Sequence, residues 1–211
     1  HMPEITKILS DPPKNCGVGN RNIQITSTNA GLSQVETPYV WKVRSDQILP
    51  VSTIKYINNF IHDHEHSSRA IGQEFVHMQG PIFVAGNYRA FPFHPRDHMF
   101  IGHTKDIKDL FDIPLDYVSE STDYSKWLRA EAWIGANYLA KYSFQIKHML
   151  RDFQKYLVDN APSIGYAREV SERITPKAFK TLPRIDFSWP KHGLRAYHYH
   201  VGQSLSEYWH E

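Results

Sequence analysis

A polar helix start and a carboxylate at a strand end are the residues with the clearest chemical potential. An arginine and backbone N–H groups at a helix N-terminus can bind phosphate, which makes Asn20 and Arg21 candidates for nucleotide contact. Asp46 follows a β-rich stretch, where a carboxylate could hold a divalent metal together with phosphate oxygens. The alternatives are a capped helix with an exposed Arg21 and a solvent-facing turn at Asp46. The order of these residues favours a nucleotide diphosphate site.

Further polar residues could complete this nucleotide site. Lys42 and Arg44 place positive charge just before Asp46. Asp11, after a predicted first strand, could accept a hydrogen bond from a uracil or ribose, although an aspartate before two prolines is also common in turns. Late in the chain, His198 and His200 could complete a metal shell or touch the β-phosphate. The alternative is a pair of strand residues that share one face.

The segment 93–98 is dense in polar groups and lies between two apolar stretches. This pattern suggests a pocket wall, with His94 on the donor side and Asp97 contacting hydroxyls of the donor sugar or the acceptor. A plain surface loop is the alternative interpretation.

Glu131 lies in the first turns of a predicted long helix. It could act as a general base that takes a proton from an acceptor hydroxyl. The neighbouring Trp127 and Trp133 would raise its pKa by desolvation and offer a face for sugar stacking. The alternative is an ordinary glutamate that is favourable near a helix N-terminus.

Two conspicuous features are interpreted as non-functional. Alternating histidines at 62, 64 and 66 resemble a metal site, but zinc ligands normally converge from separate elements, so a solvated loop is predicted. Cys16 is the only cysteine, which excludes an intramolecular disulfide and indicates a structural role and a reducing compartment.

The composition indicates a globular protein of 211 residues, with 41% hydrophobic and 22% charged residues. A net charge of +2 argues against a nucleic-acid partner. No apolar run approaches the ~18 residues of a membrane span, and no secretory signal is visible, so a cytoplasmic location is expected. Residues 1–2 are interpreted as a cloning remnant.

The fold class predicted is α/β: one domain at 3–211, with a central mixed sheet flanked by helices. The nucleotide-binding half is expected at about 3–103 and the acceptor-side helical half at about 104–211. The predicted strands are 5–9, 39–44, 82–85 and 99–101. The predicted helices are 20–34, 50–61, 104–111, 125–142 and 144–158, followed by a Pro-broken tail from 174 with a short helix near 204–209.

Taken in order, the motifs at 20–22, 42–46, 87–88, 93–102 and 131–139 resemble the WavE-type lipopolysaccharide-synthesis glycosyltransferases, and more broadly enzymes of the GT-A fold. The resemblance spans about residues 8–140. The chain is also similar to the N-terminal domain of chlorella-virus glycosyltransferases that build capsid glycans. That similarity implies further domains in a longer polypeptide and a host-cytoplasmic location.

The resemblance implies a GT-A fold, a UDP-linked sugar donor such as UDP-glucose, and Mn²⁺ or Mg²⁺. By position, Asp46 matches the metal-binding acid, Arg21 the nucleotide contact and Glu131 the acceptor-side acid. Two departures are visible. The metal motif reads Ser-Asp-Gln rather than Asp-x-Asp, and only one strand is predicted before the helix that begins near Arg21.

The function predicted is a metal-dependent, inverting hexosyltransferase. It would move a hexose or deoxyhexose from a UDP-sugar to a glycan hydroxyl, with Glu131 or Asp97 as general base. One alternative is a nucleotide-sugar hydrolase. Another is a carbohydrate-binding module without catalysis that stacks sugars on tryptophans, namely Trp127, Trp133 and Trp189.

Overall fold

The computed structural model describes residues 6–44, 47, 49–64, 75–87, 91–116, 129–155 and 164–182. Within them a short 3-10 turn, Val18–Asn20, precedes six α-helices: α1 (Arg21–Ser33), α2 (Val51–His64), α3 (Thr104–Phe111), α4 (Ala130–Ala140), α5 (Phe144–Lys155) and α6 (Ile164–Ala178). The strands are β1 (Tyr39–Val43), β2 (Ile82–Val84), β3 (Met99–His103) and β4 (Phe179–Thr181).

The four strands form one sheet in the order β1-β3-β2-β4. β3 pairs antiparallel with both β1 and β2, whereas β4 pairs parallel with β2. The predicted α/β class with a mixed sheet is therefore confirmed. β4 follows α6 directly, and parallel strands are joined by a crossover connection that is usually helical.

Hydrophobic side chains cover both faces of the sheet, since successive residues of a strand point to opposite sides. Ile82, Val84 and Phe100 join the larger core, which α1, α3, α4, α5 and α6 complete. Phe83 and its neighbours in β3 join a smaller core beneath α2, centred on Ile57. The central strands β2 and β3 are consequently buried on both faces.

Several predicted elements match the structure, and others need correction. The helices at 20–34 and 50–61 and the strand at 39–44 correspond to α1, α2 and β1. Residues 6–9 of the predicted first strand are not in a strand, and α2 continues through residues 62–64. Helix α6 and strand β4 were not predicted from the sequence.

The tail from 174 was predicted to be Pro-broken, and for residues 174–182 this was wrong, whereas the short helix predicted near 204–209 lies outside the described residues. α6 passes through Pro176 and ends at Ala178. Pro176 lies within the last helical turn, where its missing N–H removes only one backbone hydrogen bond. His103 is the N-cap of α3, and the Thr104 hydroxyl donates to the Thr37 carbonyl at 2.6 Å.

Among the described residues, no helix has the length and apolar character needed to cross a bilayer.

Candidate active site

The loop 91–98, between β2 and β3, carries two of the predicted site residues, His94 and Asp97. Its backbone is bonded to the segment just after β2: Arg96 N donates to Gly86 O at 2.8 Å, and Pro95 forms an isolated bridge with Asn87. Phe93 is buried and has a φ of 55°, which is rare for a bulky residue. The surrounding structure must therefore enforce this conformation.

Helix α4 brings Glu131 to this loop. Gly135 lies one turn after Glu131 on the same helical face. A Cβ atom at Gly135 would lie 2.1 Å from the Phe93 carbonyl oxygen, so only glycine permits the loop to approach this closely. The approach places His94 Nε2 3.5 Å from Glu131 Oε2.

The end of β1 brings positive charge to Asp97. Val43 pairs with Met99 in the β1–β3 register, so Arg44 follows beside the loop. Arg44 Nη1 lies 2.9 Å from Asp97 Oδ2, and Lys42 Nζ donates to the Asp97 backbone oxygen at 3.2 Å. Two predicted basic residues thus meet a predicted acid.

Five predicted site residues therefore meet in one place. We call them the Asp97–Glu131 cluster: Lys42, Arg44, His94, Asp97 and Glu131. They come from β1 and the residue after it, from the loop 91–98, and from α4. The cluster unites residues that the sequence had assigned separately to donor and acceptor sides.

The charges of the cluster make Glu131 a better proton acceptor than a solvated glutamate. Burial raises the pKa of Glu131, the negative charge of Asp97 raises it further, and Arg44 opposes that rise. When protonated, Glu131 can donate a hydrogen bond to Asp97. Burial lowers the pKa of His94, so this imidazole is neutral near pH 7.

Arg21 lies in a second, structural arrangement. It is fully buried, its Nε lies 3.2 Å from Asp116 Oδ2, and it donates to Val18 O at 3.0 Å. Its guanidinium carbon lies 4.9 Å above the Trp133 ring, which is a cation–π distance. Arg21 thereby links α1, the segment after α3, and α4, and nucleotide contact by Arg21 stays a prediction.

The prediction that Trp133 offers a face for sugar stacking is wrong. Its side chain is only 3% exposed and its Nε1 donates to Pro114 O at 3.2 Å. Its indole packs against the Arg21 guanidinium inside the protein, so no sugar can stack on it. Trp127 and Trp189 lie outside the described residues.

The other predicted nucleotide and metal residues stay predictions. Asn20, with a left-handed φ of 60°, and Asp11 are both exposed. Asp46, His198 and His200 lie outside the described residues. Within the described ranges, no three His, Cys, Asp or Glu side chains are grouped to hold a metal.

The histidine string on α2 is consistent with a solvated surface where it is described. The side chains of His62 and Asp63 are 87% and 72% exposed. Position 66 lies outside the described residues.

Two glutamines of the site were not recognised from sequence. Gln24 Nε2 donates to Asp97 Oδ2 at 3.4 Å, from the first turn of α1. The side chain of Gln47 hydrogen bonds to the His98 ring, although the sequence had marked it only as a missing second acid. No local sequence pattern marked Gln24, because Asp97 lies 73 positions further along the chain.

A neutral imidazole, a desolvated carboxyl group and two cations in one cluster suit proton removal from a hydroxyl beside an anionic group. The sequence model of the WavE family, described as lipopolysaccharide synthesis, matches residues 13–149, which is more than half of the chain. The chain belongs to this family and thus to proteins of glycan synthesis. No curated protein and no solved structure matches it.

Proposed function

We propose that the protein is a glycosyltransferase that moves a hexose or deoxyhexose from a UDP-sugar to a glycan hydroxyl. One observation carries the proposal: Glu131 lies beside His94 and Asp97 in a chain of a glycan-synthesis family. The cluster lies within residues 13–149, the region that the family model matches.

In this reaction Glu131 accepts the proton of the acceptor hydroxyl. The acceptor oxygen forms a bond to the anomeric carbon, and the bond from that carbon to the diphosphate oxygen breaks. The leaving diphosphate departs with the electron pair of the broken bond. Attack opposite the leaving group inverts the anomeric carbon, as the sequence predicted.

The contacts favour Glu131 over Asp97 as the base. Asp97 Oδ2 is engaged by Arg44 and also accepts from Gln24. This oxygen of Asp97 is therefore already occupied by two donors. For Glu131, burial and the negative charge of Asp97 raise the pKa, which favours Glu131 as the proton acceptor. Asp97 therefore serves as an electrostatic partner that also orients hydroxyl groups.

We assign contact with the diphosphate to Lys42 and Arg44, the two cations of the cluster. The Arg44 side chain is 31% exposed, so it can reach a ligand from its position against Asp97. A guanidinium can bind phosphate oxygens through two hydrogen bonds and stabilise charge that develops on the leaving group.

The predicted Mn²⁺ or Mg²⁺ has no ligand set among the described residues, and the Asp97 carboxylate is already paired with a cation. We therefore assign no step to a metal. Metal binding at Asp46, a GT-A fold, the origin in a chlorella-virus capsid-glycan enzyme and further domains of a longer polypeptide remain proposals from the resemblance.

The test is a transfer assay with UDP-, GDP- and CMP-sugars and a mixed oligosaccharide acceptor, with and without Mn²⁺. We expect mass spectrometry to show an acceptor one sugar heavier with a UDP donor, and Glu131→Gln to form that product about 10²–10⁴-fold more slowly. Free sugar with unchanged acceptor would identify a nucleotide-sugar hydrolase. Glycan binding with no calorimetric response to any nucleotide would identify a carbohydrate-binding module and refute the proposal.

A further inference from the structure

Helix α6 contacts the site loop through a buried hydroxyl. Phe93 N donates to Ser171 Oγ at 2.7 Å, and Ser171 Oγ lies 2.9 Å from Thr175 Oγ1, one turn further along α6. Both hydroxyl residues are buried. The contact joins the residue of unusual backbone conformation to an element 78 positions away in the sequence.

This helix lies beyond residue 149, where the match to the family model ends. α6 nevertheless leads directly into β4, which adds the parallel strand to the sheet. The described fold thus depends on a segment to which the family match assigns nothing.

The strained peptide at Phe93 is held from two sides. On its carboxyl side, the Phe93 oxygen rests on Gly135 of α4 at a distance that excludes a Cβ. On its amino side, the N–H is held by Ser171. A bulky residue keeps a positive φ only where its surroundings fix it, and these two contacts supply that restraint.

We propose that Ser171 is a positioning residue of the active site, whose hydrogen bond to Phe93 N–H fixes the loop that holds His94 and Asp97 against Glu131. The catalytic part of this inference rests on the proposed function, because it treats Glu131 as the base. The structural part does not, since it concerns the position of the loop relative to α4.

The removal of the Ser171 hydroxyl leaves a buried N–H without its acceptor. The backbone at Phe93 can then relax toward negative φ, which displaces the next residue, His94. A displacement of about 1 Å at a reacting group can lower a rate by about 10²-fold. A loss of this kind appears in kcat more than in the KM for the donor.

The loss of the Ser171 hydroxyl should also change the pKa of Glu131, in a direction that its surroundings determine. Glu131 is faced by Asp97 and His94 from the loop 91–98 and by Arg44 from the end of β1, while Arg129 precedes it on its own helix. If the loop moves away, water reaches Glu131 and the negative charge of Asp97 recedes. Both changes lower the pKa of Glu131 toward its ordinary value.

The experiment follows the side-chain carboxyl of Glu131 by ¹³C NMR across pH in the wild type, Ser171→Ala and Thr175→Val. Thr175→Val is the matched control because it removes the neighbouring hydroxyl of the same helix but leaves the acceptor for Phe93. We expect the Glu131 titration to move to lower pH only in Ser171→Ala. Its kcat should fall roughly 10- to 100-fold, with little change in KM.

A folded Ser171→Ala protein with the wild-type Glu131 titration would overturn the proposal, and so would an equal shift in Thr175→Val. If Ser171→Ala does not fold, Ser171→Cys serves instead, because sulfur is a weaker acceptor in a side chain of similar size. A shifted titration without any transferase activity in the wild type would retain the positioning role while refuting the proposed function.

Discussion

The substitution Gly135→Ala tests whether the loop 91–98 rests on α4 as closely as the structure has it. An added Cβ would lie 2.1 Å from the Phe93 carbonyl oxygen and 2.8 Å from Pro95 Cδ. Ordinary van der Waals contact begins at 3.4 Å, so the loop backbone must move by about 1.3 Å or α4 must shift. The atoms that block the Cβ include backbone, which cannot change rotamer to make room.

The expected change in unfolding free energy of Gly135→Ala is the sum of two opposing effects. Overpacking in a filled interior costs typically 1–3 kcal/mol, and a clash against backbone belongs at the upper end. Alanine in place of a helical glycine gains about 1 kcal/mol in helix propensity. The net loss in unfolding free energy is therefore about 2 kcal/mol, which lowers the Tm by about 4–8 °C for a protein of this size.

Gly31→Ala is the matched control. Gly31 also lies in a helix, α1, but an added Cβ there meets no atom within 4 Å. The propensity gain is then unopposed, and we expect the Tm to rise by about 2–4 °C. Both variants are compared by thermal unfolding followed by circular dichroism, and by transfer rates at saturating donor.

The transfer rate should fall about 10²-fold in Gly135→Ala, since His94 is displaced relative to Glu131, and should stay unchanged in Gly31→Ala. Equal rises in Tm for the two variants, with equal activity, would show that the loop does not lie on α4. The assignment of Glu131 to the loop cluster would then lose its geometric basis.

Four further outcomes are expected. Glu131→Gln should lower transfer by about 10²–10⁴-fold with nearly unchanged UDP affinity. Asp97→Asn should change apparent affinity more than turnover. Steady-state kinetics distinguish the two outcomes. Because burial raises the pKa of Glu131, the acidic limb of the wild-type pH–rate profile should lie above the ~4.3 of an ordinary glutamate, and a limb at or below that value would contradict the base assignment. Asp46→Ala should abolish Mn²⁺-dependent UDP binding in calorimetry with an unchanged melting curve; unchanged UDP affinity would remove Asp46 from the site. Arg21→Met should lower the unfolding free energy in urea by about 3–5 kcal/mol, because buried Asp116 loses its counter-charge; a stable variant with lost UDP affinity would instead favour nucleotide contact.

The candidate site was predictable where local pattern was enough. The many polar residues of the segment 93–98 indicated a pocket wall. The position of Glu131 in the first turns of a predicted helix made it a candidate general base. Their contact was not predictable. This contact depends on Gly135, because a side chain there would collide with the loop 91–98. The sequence does not show that a loop packs at this position, so the requirement for glycine could not be inferred from it.

Arg21 shows the opposite case. Its place at a helix start suggested an exposed cation for phosphate, because helix starts are often exposed. Its buried partner Asp116 lies 95 positions later, and no periodicity connects the two. A buried ion pair between distant segments depends on how the elements pack, and packing is a property of the whole chain.

The sequence by itself determined where helices and strands form and roughly where they begin and end. These properties depend on the periodicity of hydrophobic residues and on the positions of glycine and proline, which influence only a few neighbouring residues. The sequence thereby determined α1, α2, β1 and the α/β class. The tertiary structure decided that β4 joins β2, that Arg44 rather than Arg21 meets Asp97, and that α6 holds Phe93. Each of these contacts joins residues that are far apart in the sequence, and it forms only when particular faces of helices and strands pack together. The burial of apolar area selects those faces, and all the helices and strands contribute to that burial at once.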